Sequence, residues 1–112
     1  MTHDVDFVKL WRIMQKNPLA FAGGVIEAAR DQDSRAYMIE CAANFYRGEW
    51  GDIPPEDVEA NNRELTRPAG RVVARYPARF EMKQDIFVIC YFSEEEPSRE
   101  SNYTAICYVS DY

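Results

Sequence analysis

Three carboxylates, Asp52, Glu56 and Asp57, stand close enough in sequence to converge on one point, as a hard cation or an acid–base pair would require. They flank Pro54 and Pro55, which favour a helix start because a missing N–H costs little in the first turn. Acids in that position complement the positive end of the helix dipole, and Asp52 is a capping type. Capping and dipole complementarity account for all three with nothing left over, so the sequence assigns no catalytic or metal-binding residue here. Nucleophilic catalysis has less support. No serine or cysteine has an evident base, and the one histidine, His3, lies at the start of the chain. No glycine-rich phosphate loop follows a strand, and no cofactor is expected. Cys41, Cys90 and Cys107 are widely spaced among apolar neighbours without a CxxC pair, so they read as buried free thiols.

Charge is laid out more distinctively. Arg63, Arg67, Arg71, Arg75, Arg79 and Lys83 recur every fourth residue, against only Glu64 and Glu81 in that window. Pro68, Gly70 and Pro77 forbid one continuous helix. On a strand the even spacing puts Arg71 and Arg75 on one face. With Arg79, and with Tyr76 and Phe80 nearby for stacking, that face is an alternative nucleic-acid-binding surface. Charge balance and protection of an edge strand explain it more simply. Glu94, Glu95 and Glu96, followed by Pro97 and Glu100, form an acidic loop. Such loops are mostly solvated turns; the functional alternative is a nucleic-acid mimic that offers carboxylates to a basic groove. The net charge of −6 disfavours general attraction to nucleic acid or to an anionic membrane.

These residues need a scaffold, and 112 residues with 46% hydrophobic content suffice for one domain, 1–112, with a real core. No apolar run approaches the roughly 20 residues of a membrane span. Met1-Thr2-His3-Asp4 is acidic and polar, unlike a signal peptide, so a cytoplasmic location is expected. Asp4 can cap a first helix whose Phe7, Leu10, Trp11 and Met14 form one stripe, ended by Pro18. Leu19 onward reads as a loop, then a short helix from about Val25 to Arg30. A helix from about Ser34 to Arg47 carries Met38, Cys41, Ala42 and Phe45 on one face, and Gly48 suits the left-handed position beyond it. The turn Trp50-Gly51-Asp52 leads into a helix starting at the proline pair. One or both of Asn61 and Asn62 fall on its inward stripe with Val58 and Leu65, and Asn61 is predicted to clamp the Trp50–Asp52 backbone. Strands are predicted over Arg71–Tyr76, Asp85–Phe92 and Asn102–Val109, the middle one buried on both faces. The helical half runs over about 4–66 and the β half over about 70–110. Short strand connections predict an α+β fold, with N-terminal helices packed on a C-terminal three-stranded antiparallel meander. A centred turn would set Cys90 and Cys107 diagonally on one sheet face at ~7–8 Å, too far for easy bridging.

From Gly48 onward the chain resembles a family of small proteins of bacterial plasmids, prophages and integrated elements. The family pattern is G-x-W-G-D-L-x-x-E-D-x-x-x-N-x-x-x-L, then G-R-L-L-x-A-Y, an apolar strand, and T-x-x-L-L-P-x-Y. Gly48, Trp50, Gly51, Asp52, Ile53, Glu56, Asp57, Asn61 and Leu65 match the first part in register. Gly70-Arg71-Val72-Val73-Ala74-Arg75-Tyr76 follows one residue late, and Thr104 to Tyr112 matches the close. Two departures stand out: Tyr91-Phe92 and the acidic loop replace a polar T-E-A-D-R-S connection, and Ser110 replaces the proline. The resemblance implies a mobile-element setting and no mechanism, because the family has no established activity.

Together these readings give the expected function. The chain is a non-enzymatic accessory protein that binds a host protein or protein–nucleic-acid complex, in its sharpest form an acidic inhibitor of a defence complex of the anti-CRISPR or anti-restriction type. Direct nucleic-acid binding through Arg71, Arg75 and Arg79 is the second reading, and an enzyme built on the Asp52, Glu56 and Asp57 carboxylates the third.

Overall fold

The computed structural model describes residues 17–96 and 102–112. The first predicted helix, with Asp4, Phe7, Leu10, Trp11 and Met14, lies outside them, as do His3 and Glu100. The elements run β1 (Leu19–Phe21), α1 (Val25–Ala28), α2 (Gln32–Tyr46), α3 (Pro55–Leu65), β2 (Ala69–Tyr76), β3 (Ile86–Ser93), β4 (Tyr103–Tyr108) and a 3-10 turn at Val109–Asp111.

The architecture is α+β, but the sheet is not a three-stranded antiparallel meander. It is four-stranded and mixed, in the order β1-β4-β3-β2. β2–β3 and β3–β4 are antiparallel, whereas β1 pairs with β4 in parallel, Leu19 opposite Thr104 and Phe21 opposite Ile106. The reason is the open edge of β4, whose backbone groups would otherwise go unpaired. Thr104 N–H donates to the Pro18 carbonyl at 2.9 Å, and Ala22 N–H donates to Ile106 at 2.9 Å. Pro18 serves at the strand's start, where only its carbonyl is needed. Three residues are too few to show the alternation that marks a strand, so the segment reads as loop.

α2 starts as its residues dictate. The Asp31 carboxylate accepts from Ser34 N–H at 2.9 Å and from Ser34 Oγ at 2.8 Å. Gly48 ends the helix at φ 78°. The core lies between one sheet face and α1 and α2. Val72, Ala74 and Tyr76 of β2, Ile86, Val88, Cys90 and Phe92 of β3, and Ile106 and Tyr108 of β4 meet Val25, Met38, Cys41, Ala42 and Phe45. Strand alternation sends Arg71, Val73 and Arg75, Phe87, Ile89 and Tyr91, and Ala105 and Cys107 to the other face.

That alternation corrects the placement of two cysteines. Cys90 is opposite Thr104 on the core face, and Cys107 is opposite Phe87 on the reverse face. The sheet separates them: the turn between β3 and β4 is centred as predicted, but Cys107 stands three residues beyond Thr104, and an odd step along a strand crosses to the other face, so the expected same-face diagonal pair does not form. All three thiols are buried, and burial pushes Cys41 and Cys90 up to about 11.

Candidate interaction surfaces

α3 lies along the outer edge of β2, and the Trp50–Asp52 turn lies beside it on that same edge. Arg75 N–H donates to the Trp50 carbonyl at 3.2 Å, and Asp52 N–H donates back to the Arg75 carbonyl at 2.8 Å. Tyr76 hydroxyl reaches the Glu49 carbonyl at 2.6 Å. Two residues earlier on β2, Asn61 completes the cover: its Nδ2 donates to the Val73 carbonyl at 2.8 Å and its Oδ1 accepts from Val73 N–H at 3.1 Å. The predicted clamp is therefore real in kind but wrong in partner. Asn61 grips the strand edge, and the turn grips the next outward-facing pair of the same edge. Both are devices that keep a sheet edge from pairing elsewhere. Asn61→Ala should cost about 1–3 kcal/mol, since it leaves the half-buried N–H and carbonyl of Val73 without their side-chain partners. Urea denaturation checks this; a loss under about 0.5 kcal/mol would remove Asn61 from the account of the edge.

Asp52 departs from the sequence reading as well. The cap of α3 is Pro54, with no side-chain cap bond, so Asp52 contributes its backbone N–H and not its carboxylate. Asp52, Glu56 and Asp57 are exposed, and among the described residues no His, Cys, Asp or Glu group is arranged to hold a metal ion.

The arginines are brought into three separate environments. Arg75 pairs with Asp85 at 3.0 Å. Arg71 shares the reverse sheet face with it, but lies over the Tyr112 ring at 5.1 Å. Arg79 leaves the strand altogether and sits by α2, over the rings of Tyr37 and Phe80. Tyr76 is unavailable for stacking on a base, being 6% exposed in the core. Three arginines expected to share a face thus do not form one basic track.

Asp85 is a residue the sequence reading missed. Its carboxylate accepts from Ala78 N–H at 3.0 Å and from Arg75, and these bonds hold it below the ordinary aspartate value of 3.8. A carboxylate depressed on folding stabilises the fold above its unfolded value, and that stability is lost as the pH falls through the folded one. Stability measured from pH 6 downward should therefore begin to fall near 3.8, and Asp85→Asn should flatten part of that decline. An unchanged acid limb in the variant would show that the pair contributes nothing.

The acidic loop is exposed at Glu94, Glu95 and Glu96, and its base is tied down. Glu94 N–H donates to the Pro68 carbonyl, and Glu96 N–H donates to Ser93 Oγ at 2.9 Å. Asn102 bridges the two ends, accepting from Ser93 N–H and donating to the Glu96 carbonyl at 3.0 Å. Its type was a signal, since a buried asparagine opening a strand must find partners.

Comparison with protein-family models, curated proteins and solved structures finds no match to the chain. Ile53, Asp57, Asn61, Arg71 and Tyr112 line a shallow groove of about 290 Å³ between α3 and the reverse sheet face. Asn61 is committed to Val73 and Arg71 to Tyr112, so the groove holds these elements together. Among the described residues, no helix is long and apolar enough to cross a membrane.

Proposed function

We propose that the protein works by binding, without chemistry of its own, and that its acidic loop engages a basic surface of another macromolecule in the host cytoplasm. The observation that carries this reading is the loop itself: three exposed carboxylates, Glu94–Glu96, on a backbone fixed at both ends by Asn102. A preorganised charge array loses little freedom on binding, and it pairs with Lys and Arg groups that otherwise hold phosphate. In the mobile-element setting that the resemblance implies, its sharpest form is an inhibitor of a nucleic-acid-directed defence complex, of the anti-CRISPR or anti-restriction type. Direct binding of nucleic acid has less support, because Arg71, Arg75 and Arg79 stand in three separate environments, with Arg75 paired to Asp85, and form no continuous basic track.

The test combines a host-lysate pull-down, with partners identified by mass spectrometry, and gel shifts on single- and double-stranded nucleic acid at low salt. Replacing Glu94, Glu95 and Glu96 by glutamine should weaken the complex with a basic partner at least about tenfold while leaving the fold intact. Arg71→Gln with Arg75→Gln should change it little. Micromolar nucleic-acid binding that the arginine changes abolish would reverse the assignment.

A further inference from the structure

The connection between β2 and β3 holds Phe80 at φ 56°, in the left-handed region. For a bulky residue this backbone is an outlier, and it persists only where neighbouring contacts over-determine it. They do so here. Tyr37 hydroxyl donates to the Pro77 carbonyl at 2.7 Å, and Ala78 N–H donates to Asp85 at 3.0 Å. Glu81 N–H donates to Ser34 Oγ at 3.1 Å, Lys83 N–H to the Tyr108 hydroxyl at 3.0 Å, and Met82 is buried. Yet the ring that this strained backbone carries is 56% exposed. Burial of the phenyl group does not repay the strain.

What the backbone does achieve is a side-chain cluster. The Arg79 guanidinium lies over the Phe80 ring at 5.2 Å and the Tyr37 ring at 5.3 Å, and the two rings meet edge-on at 6.2 Å. Aromatic contact holds the cation without using an N–H donor. Among the described residues no carboxylate pairs with Arg79.

We propose that Arg79 and Phe80 form a preformed recognition site for a carboxylate side chain of a partner protein, with an apolar group beside it. A guanidinium held in one orientation takes a carboxylate through two parallel N–H bonds, while the exposed ring supplies the apolar contact. Arginine and aromatic residues on a rigid support are the usual centres of binding energy at protein interfaces. A protein fits better than a nucleic acid. The net charge is −6, the exposed Glu81 offsets the exposed Lys83 of the same loop, and the nearest strand arginine, Arg75, is paired with Asp85. The site lies at the opposite end of β3 from Glu94–Glu96, and it does not depend on the acidic loop having a partner.

The probe is a blocked phenylalanyl-aspartate dipeptide, titrated at millimolar concentration into the full chain and followed by NMR at the Arg79 side-chain N–H and the Phe80 ring. The asparagine analogue and thymidine monophosphate run beside it. The acidic dipeptide should shift both signals, with about tenfold weaker binding for the neutral analogue, the loss expected for one charge-assisted pair. Arg79→Gln should abolish the ring shifts. Phe80→Gly should weaken binding while the melting temperature holds or rises, because glycine adopts this backbone freely. No shift with the acidic dipeptide overturns the proposal. Stronger shifts with the nucleotide would assign the site to nucleic acid instead. A melting temperature several degrees lower in Phe80→Gly would make the ring a structural element.

Discussion

Replacing Trp50 by alanine should destabilise the fold by about 3–5 kcal/mol, the largest loss expected from any single truncation among the described residues. The indole is fully buried and is the largest such side chain among the described residues. Its N–H donates to the Phe45 carbonyl at 3.1 Å, joining the turn to the C-terminal end of α2. Removal opens a cavity among α2, the turn and β2, and the neighbours can fill it only in part, since the turn backbone is fixed to Arg75. In a chain of this length the melting temperature should fall by about 12–20 °C. Trp50→Phe should recover part of the loss by refilling volume without the N–H. A near-neutral Trp50→Ala would show that the core does not rest on this residue.

Gly51→Ala should cost about 2–4 kcal/mol, adding roughly 1–2 for a left-handed non-glycine backbone to the loss of one or two strand-edge bonds. At φ 70° this glycine passes so close to β2 that an added Cβ would stand 2.0 Å from the Arg75 carbonyl and 2.9 Å from the Tyr76 ring. Neither can withdraw, because that carbonyl accepts from Asp52 and the Tyr76 hydroxyl is bound to Glu49. The turn must therefore lift from the strand. Amide hydrogen exchange distinguishes this from a general loss: the Arg75 and Asp52 amides should exchange faster than global unfolding explains. Retained protection at both would mean the turn absorbs the methyl group elsewhere.

The elements easiest to read from the sequence were those whose signals are local. The helix expected from about Ser34 starts two residues earlier at Gln32, Gly48 marks its end, and the proline pair marks the start of α3, because each signal acts on backbone within a few residues. What was hidden depends on residues far apart. Asn61 could be placed on an inward stripe, and its need for partners deduced. Which backbone it met depended on α3 lying along an edge strand that begins only after Pro68. Asp52 looked like a cap because its type permits one, and the close approach of Gly51 to β2 spent its N–H elsewhere. Phe80 carries no sequence signal at all, since a left-handed phenylalanine is imposed by the anchors around it. The arginine series misled for a related reason: its regular spacing runs through a strand, a loop and a helix, and each segment turns its cation to a different neighbour.

The strand order bears on how the chain is made. β1 belongs to the first part of the described chain, yet its partner β4 is the last of the four described strands to be synthesised, and β4 also completes the cover of β3. While translation proceeds, β2 and β3 can pair as a hairpin, but β1 has no edge to join and one side of β3 stays bare. Closing that pair joins residue 19 to residue 104, a contact of long range that slows folding. A ribosome stalled before Tyr103 would therefore hold a nascent chain with two unfinished sheet edges. Emergence of β4, and not emergence of the helices, sets the moment at which this sheet can close.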